Sequence, residues 1–337
     1  MPAAAILNST NVRNTLALAW SRMHLTVASV LAPSKAVETA ARLFATPPRF
    51  AHTAREQELL ATGTRFDIEM NWAPDQGRKG AASGGTASSA SGVTTLAAWR
   101  FGAANRPAIV ASHGWGGRGA QFRAFVPALL DAGYQVILFD HVGHGLSGGR
   151  ESSLIHFMRG IGAVVSRVEA QGATVVALIG HSLGAAAAGA WLNASKRGMR
   201  TVLIAPPTSI ERHSGWFARK LGLPESIRRQ MQQQFERRLG HRWDEFELPQ
   251  SVRNVRARAL VVHDAGDREV APASGLSLAR AWPGARFLRT EGLGHRAILR
   301  DPDVVSDAVD FIADRVVFSP PPKRGEASAY FEPAPIA

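Results

Sequence analysis

The stretch Thr174–Trp191, TVVALIGHSLGAAAAGAW, constrains the fold more than any other part of the chain. Val175, Val176, Ala177, Leu178 and Ile179 form an unbroken apolar run, the pattern of a strand covered on both faces. The alanine-rich run from Ala185 onward suits a helix. Between them stands Gly180-His181-Ser182-Leu183-Gly184, which leaves almost no loop. A chain that passes so abruptly from strand to helix strains the backbone at the tip of the turn. The residues two positions to either side must be small, because strand and helix pass close together there. Gly180 and Gly184 meet that demand, and Ser182 is the residue presented at the tip.

Around this segment strands and helices alternate. Pro107–Ser112, Tyr134–Phe139, Thr174–Ile179, Thr201–Ala205, Ala259–His263 and Ala285–Thr290 read as strands. Ala120–Ala132, Leu154–Ala170, the run from Leu183 to about Lys196, Ala273–Ala281 and Val304–Val317 read as helices, with stops expected at Gly133, Gly172 and Gly198. Such alternation predicts an α/β fold, with parallel strand pairing and helices on both faces of one sheet. Sites in sheets of this kind form outside the carboxyl ends of the strands. Thr64–Trp72 and Thr94–Phe101 add an antiparallel pair, joined across 73–92 by a Gly/Ser-rich stretch expected to be a flexible loop.

Three segments interrupt the pattern. In residues 1–60, Leu16, Trp20, Met23, Val27 and Val30 recur at spacings of four and three, one face of a helix ended by Pro33. Val37, Ala41 and Phe44 predict a second helix before Pro47-Pro48. The expectation is an N-terminal extension packed on the core; a weak peripheral membrane contact is the alternative. A leader in the first 37 residues, which hold Arg13, Arg22 and Lys35 but no acid, competes with the expected cytoplasmic location. Residues 206–250 carry no strand signal. Ile227, Met231, Phe235 and Leu239 recur every four residues there, which predicts a helical cap over the active end of the sheet. The proline-rich 319–337 reads as a disordered tail. The core then comprises 61–205 and 251–318.

Bulk composition narrows the partners. The absence of cysteine excludes disulfides and thiolate metal sites. The net charge of +12 is mostly arginine dispersed along the chain, with no block of five like charges, so no nucleic-acid partner is expected. His141 and His144 stand three apart, but Gly143 and Gly145 make that segment a tight turn and no third ligand has suitable spacing, so no metal is expected.

Ser182 needs a base within reach and an acid to orient that base. Asp264 and Asp267 follow one predicted strand and His295 follows the next; Asp267 is favoured over Asp264. With His113-Gly114-Trp115-Gly116, Asp140–Ser147 (DHVGHGLS), Gly266-Asp267-Arg268-Glu269-Val270 and Gly294-His295, the stretch from about 64 to 317 resembles the α/β-hydrolase superfamily, in its capped serine-esterase type. Asp264 stands where that family often has glycine. The resemblance implies a mostly parallel eight-stranded sheet, a Ser182–His295–Asp267 triad, no cofactor, and an oxyanion hole at the backbone N–H groups of Trp115 and Leu183. Trp216, Phe217, Met231, Phe235 and Trp243 in the cap suggest an apolar pocket for a small-molecule ester. Thioester, lactone and amide or peptide substrates suit the same triad. A binding protein without catalysis is the competing class, and such proteins usually lack a triad member.

Overall fold

The computed structural model describes residues 22–71 and 92–315. The loop expected at 73–92, the tail at 319–337 and the start of the N-terminal stripe at Leu16 and Trp20 lie outside them. The chain divides into two compact units: residues 47–71, 92–209 and 245–315 form the larger, and 22–46 with 210–244 the smaller.

The larger unit is built on one eight-stranded sheet. Its strands are β1 (Thr64–Asn71), β2 (Val93–Phe101), β3 (Ala108–Ser112), β4 (Gln135–Phe139), β5 (Val175–His181), β6 (Arg200–Ile204), β7 (Ala259–Asp264) and β8 (Arg286–Thr290). They lie in the order β1-β2-β4-β3-β5-β6-β7-β8. β2 runs antiparallel to both β1 and β4, and every pairing from β4 to β8 is parallel. The mostly parallel α/β sheet read from the sequence is therefore the fold, with the antiparallel pair at one edge. β3, β4 and β7 are buried at every residue, which is why they read as unbroken runs. After β3 the chain crosses to β4 on one side, then returns to β5 on the other. The carboxyl ends of β3 and β5 thus meet at a switch point, where open sheets of this class bind ligands.

The helices Phe125–Asp131 and Pro302–Ala313 share an apolar core with the sheet, through Phe125, Leu129, Val304, Ala308 and Ile312. The helix after β5, Leu183–Ser195, buries Gly184–Ala190 throughout. Only small side chains let a helix sit that close to the sheet, and this accounts for its alanines. It ends on Lys196, which adopts φ 57° as C-cap, two residues before the expected stop at Gly198. Near the start of the unit, Arg118 forms a buried ion pair with Glu56 at 2.7 Å. Glu56 also closes a capping box with Thr53 on the helix Ala54–Thr62.

The smaller unit is helical, and its N-terminal helices join the insertion in a common core. The helix Pro33–Ala45 packs on Glu225–Leu239. Ala36, Val37 and Ala40 are buried with Ile227, Met231, Phe235 and Trp243. Phe44 lies against Phe217, Phe235 and Trp243, with ring centroids 5.1–5.8 Å apart. Residues 22–31 form a further helix. Its periodic face does not pack as expected: Met23, Val27 and Val30 are 61%, 52% and 77% exposed, while Leu25 on the opposite side is 1% exposed. Arg228 is buried in this unit, held bidentately by Glu225 at 2.7 Å and donating to Ser214 Oγ at 3.0 Å.

Candidate active site

Ser182 caps the N-terminus of the helix that follows β5 with φ 52° and ψ −124°. A non-glycine residue at positive φ stores about 1–3 kcal/mol of strain and persists only where its surroundings enforce it. The enforcement is visible here. A Cβ on Gly180 would come within 2.5 Å of Ala185 Cα, and one on Gly184 would collide with the carbonyls of Ser112 and His113. Ser182 N–H donates to Ile204 O, and Ser182 O accepts from the N–H groups of Ala185 and Ala186. The N–H of Leu183 opens the first helical turn, where no intrahelical acceptor exists.

The loop after β3 lies against this turn. A Cβ on Gly114 would stand 2.8 Å from Ser182 Cβ, so only glycine lets the His113–Gly116 segment approach. Gly117 N–H closes the turn onto Gly114 O at 2.9 Å. His113 Nδ1–H donates to Gly114 O at 2.7 Å, and His113 Nε2 accepts the N–H of His141 at 3.0 Å. Both ring nitrogens are therefore committed in the neutral form, and burial lowers its pKa to about 4. Trp115 follows at half burial, its ring edge-on to His144 at 5.4 Å.

The Asp140–Ser147 turn supports that loop. Asp140 accepts from the N–H groups of Gly119 and Leu146, both at 2.8 Å, so its carboxylate serves as an anchor. His141 Nε2 lies 2.8 Å from Ser112 Oγ, and His144 Nδ1–H donates to Val142 O at 2.9 Å. The ring of His141 stacks on Phe157 at 3.7 Å. These contacts account for the His141–His144 pair as packing and loop structure.

The acid and the histidine come from adjacent strand ends. His295 Nδ1–H donates to Asp267 Oδ2 at 2.7 Å. Asp267 Oδ1 accepts from the N–H groups of Glu269 and Val270. Burial alone would raise the pKa of Asp267. The hydrogen bonds from His263, His295 and Val270 outweigh it and hold the carboxyl well below the usual range. Asp264 makes no such contact. Its carboxylate accepts from Gly266 N–H, Thr290 Oγ1 and Leu293 N–H at 2.9–3.0 Å, tying β7 to the loop that carries His295.

Two contacts have no sequence signature. His263 Nε2–H is shared between Val270 O at 3.1 Å and Asp267 Oδ2 at 3.2 Å, so the acid receives a second imidazole donor. His181, next to Ser182, donates Nε2–H to the backbone carbonyl of His295 at 2.8 Å, with the two rings 4.7 Å apart. That bond ties the Ser182 turn to the loop that carries His295. Ser182 Oγ itself makes no hydrogen bond to His295 among the described residues. Such bonds are often long before substrate binds.

The predicted pocket residues all belong to the smaller unit. Met231, Phe235 and Trp243 are interior to its core at 0–5% exposure, and Phe217 packs against that core. Their apolar surface is thus taken up by neighbours within the unit. Trp216 is half-exposed, with Lys220 Nζ 4.8 Å over its ring.

A family model described as "Serine aminopeptidase, S33" matches residues 103–264. No curated protein sequence matches the chain. Among solved structures, Rv0554 from Mycobacterium tuberculosis is similar at 22% identity and TM-score 0.56, over 74% of this chain and 99% of that one. The Pyrococcus furiosus esterase Pf2001 is similar at 18% identity and TM-score 0.58, over 80% and 97%. A putative non-heme bromoperoxidase, BpoC, from Mycobacterium tuberculosis is similar at 22% identity and TM-score 0.51, over 66% and 97%. With this sheet order and the sharp strand-to-helix turn after β5, the chain has the α/β-hydrolase fold.

Proposed function

We propose that the protein is a serine hydrolase that cleaves carboxylic esters through an acyl-enzyme. Ser182 Oγ attacks the acyl carbon while His295 Nε2 takes its proton. The oxyanion is held by the N–H groups of Leu183 and Trp115, and such donors are each worth about 2.7–4 kcal/mol in the transition state. Collapse expels the alcohol, which takes the proton back from His295. Water then repeats the sequence on the acyl-enzyme and frees the acid. Asp267 keeps Nδ1–H of His295 in place and stabilises the imidazolium. The observation that carries this reading is the 2.7 Å His295–Asp267 pair, tied through His181 to the strained Ser182 turn.

The esterase among the structural neighbours favours esters. The aminopeptidase description of the matched family model makes amino-acid amides the second substrate class to assay. The substrate is expected to be a small molecule with an apolar group. A fluorophosphonate probe should label one site, and peptide mapping should find the adduct on Ser182. Labelling elsewhere, or none with an active preparation, would count against the mechanism.

His263 sets up a second expectation. In His263→Leu, Asp267 loses one donor, its carboxylate pulls harder on the His295 imidazolium, and the acid limb of kcat/KM moves to higher pH. kcat should fall about tenfold, the equivalent of about 1.4 kcal/mol, close to the lower end of what a hydrogen bond to a charged group contributes. A profile shifted in neither position nor height would leave His263 a packing residue.

A further inference from the structure

The helix at 22–31 has two apolar faces, and only one of them is used. At 100° per residue, Leu25 and Ala28 point into the core of the smaller unit. Met23, Val27, Val30 and Leu31 fall within about 100° of arc on the opposite side and are 52–78% exposed. In the sequence, Leu16 and Trp20 continue the same spacing. A contiguous exposed apolar stripe on a helix is uncommon on a surface that serves only to face water, and marks an interaction site. The charge around it points to the partner. No acidic residue occurs in the first 37 positions, which hold Arg13, Arg22 and Lys35. Residues 22–46 and 210–244 together carry eleven Lys and Arg against five Asp and Glu. Gly222 lies beside Thr26 and Arg22, which brings the exposed Arg219 and Lys220 close to this helix. The half-exposed Trp216 sits one turn before Lys220, an aromatic and a cation in the pairing favoured at membrane interfaces.

We propose that this helix docks the protein on an anionic lipid bilayer: the stripe Met23, Val27, Val30 and Leu31 enters the interfacial region, and the surrounding cations meet the headgroup phosphates. An apolar stripe rimmed with positive charge fits such a surface. It does not fit a nucleic-acid backbone, which makes no use of the stripe. It fits a second copy poorly, because two units with the same positive excess repel. Docking is independent of the chemistry assigned to Ser182.

The test is co-sedimentation of the full chain with vesicles of phosphatidylcholine alone and with phosphatidylglycerol added. Binding should be at least about tenfold tighter with phosphatidylglycerol, and should weaken as salt is raised. The double variant Val27→Asp/Val30→Asp should lose about tenfold or more in binding to the anionic vesicles. Both positions are exposed, so its circular dichroism and its hydrolysis of soluble esters should match the parent. Arg22→Glu/Lys35→Glu should remove much of the preference for phosphatidylglycerol while leaving the stripe intact. Ser182→Ala should bind vesicles as the parent does, which separates failure of docking from failure of the hydrolase mechanism. Equal binding by parent and Val27→Asp/Val30→Asp, or no binding of the parent to anionic vesicles, overturns the proposal. So does a concentration-dependent dimer that the double variant abolishes in a protein indifferent to lipid.

Discussion

Ser182→Ala should lower kcat on p-nitrophenyl esters by about 10⁴–10⁶, leaving only what oxyanion donors and binding contribute. The size follows from the division of labour. In the proposed mechanism, removing Ser182 Oγ removes the acyl-enzyme and leaves His295 no proton to take. His295→Ala should cost about as much, and the double variant hardly more than either single one, because residues that act as one unit are not additive. Asp267→Asn should cost about 10⁴, since the amide favours the wrong tautomer of His295. Asp264→Asn is the discriminating control. Asp264 is as buried as Asp267 and lies three residues away, but its carboxylate meets Leu293 N–H and Thr290 instead of an imidazole. Its loss should appear mainly in stability, by about 1–3 kcal/mol, with a far smaller fall in kcat. Steady-state kinetics with denaturant titrations on the five variants would separate these outcomes. Parental rates in Ser182→Ala would end the serine mechanism, and equal losses at Asp264 and Asp267 would remove the basis for choosing between them.

How much of this could be read beforehand depended on the range of the contacts involved. The elbow was legible because its demands are local: a buried strand, a strained tip and two glycines lie within a few residues of one another. The sheet was legible because strands covered on both faces have unbroken apolar runs, as in β3, β4 and β7. Asp264 and Asp267 could be ranked only by resemblance, since both follow β7 at spacings that suit an acid. Both reach across to the β8 side; what separates them is which one meets the His295 imidazole there, and that is a long-range fact. The donors from His263 to Asp267 and from His181 to the His295 carbonyl were invisible for the same reason. The N-terminal stripe failed differently. Its period predicts a helix and the helix is there, but period alone does not say which of two faces is buried. The small Ala28 and the single Leu25 turned out to be the packed side. The spacing of Met231 and Phe235 likewise gave a helix correctly and was silent about Phe44 and Val37 as their partners.

Acidification from pH 7 to about 4 should unfold the protein, before Asp264 and Asp267 are titrated. Four histidines drive this. Burial lowers the pKa of His113 to about 4, with that of His144 and His181 at about 3 and that of His141 well below its ordinary value. The geometry explains the direction. The rings of His141 and His144 lie with centroids 4.8 and 5.1 Å from that of His113, so a proton on His113 places a buried cation beside two other imidazoles. His181 faces His295 in the same way at 4.7 Å. Each folded value lies below the unfolded value of about 6.5, so below that pH the unfolded chain binds more protons than the native one. The stability these groups supply is complete above about pH 6.5 and is lost as pH falls toward their folded values. One histidine contributes a slope of up to about 1.4 kcal/mol per pH unit, and four together about 5 kcal/mol per unit. Even half that slope over two pH units matches the lower end of typical native stabilities, about 5–15 kcal/mol. Asp264 and Asp267, held below their ordinary values, lose their contribution only as pH falls further, so the histidine step comes first. Urea midpoints measured at intervals between pH 7 and 4 should fall steeply from about pH 6. His144→Gln should flatten the slope, because it removes one proton site and one neighbour of His113. A midpoint that stays level down to pH 5 would mean that these imidazoles are hydrated or already charged in the native state.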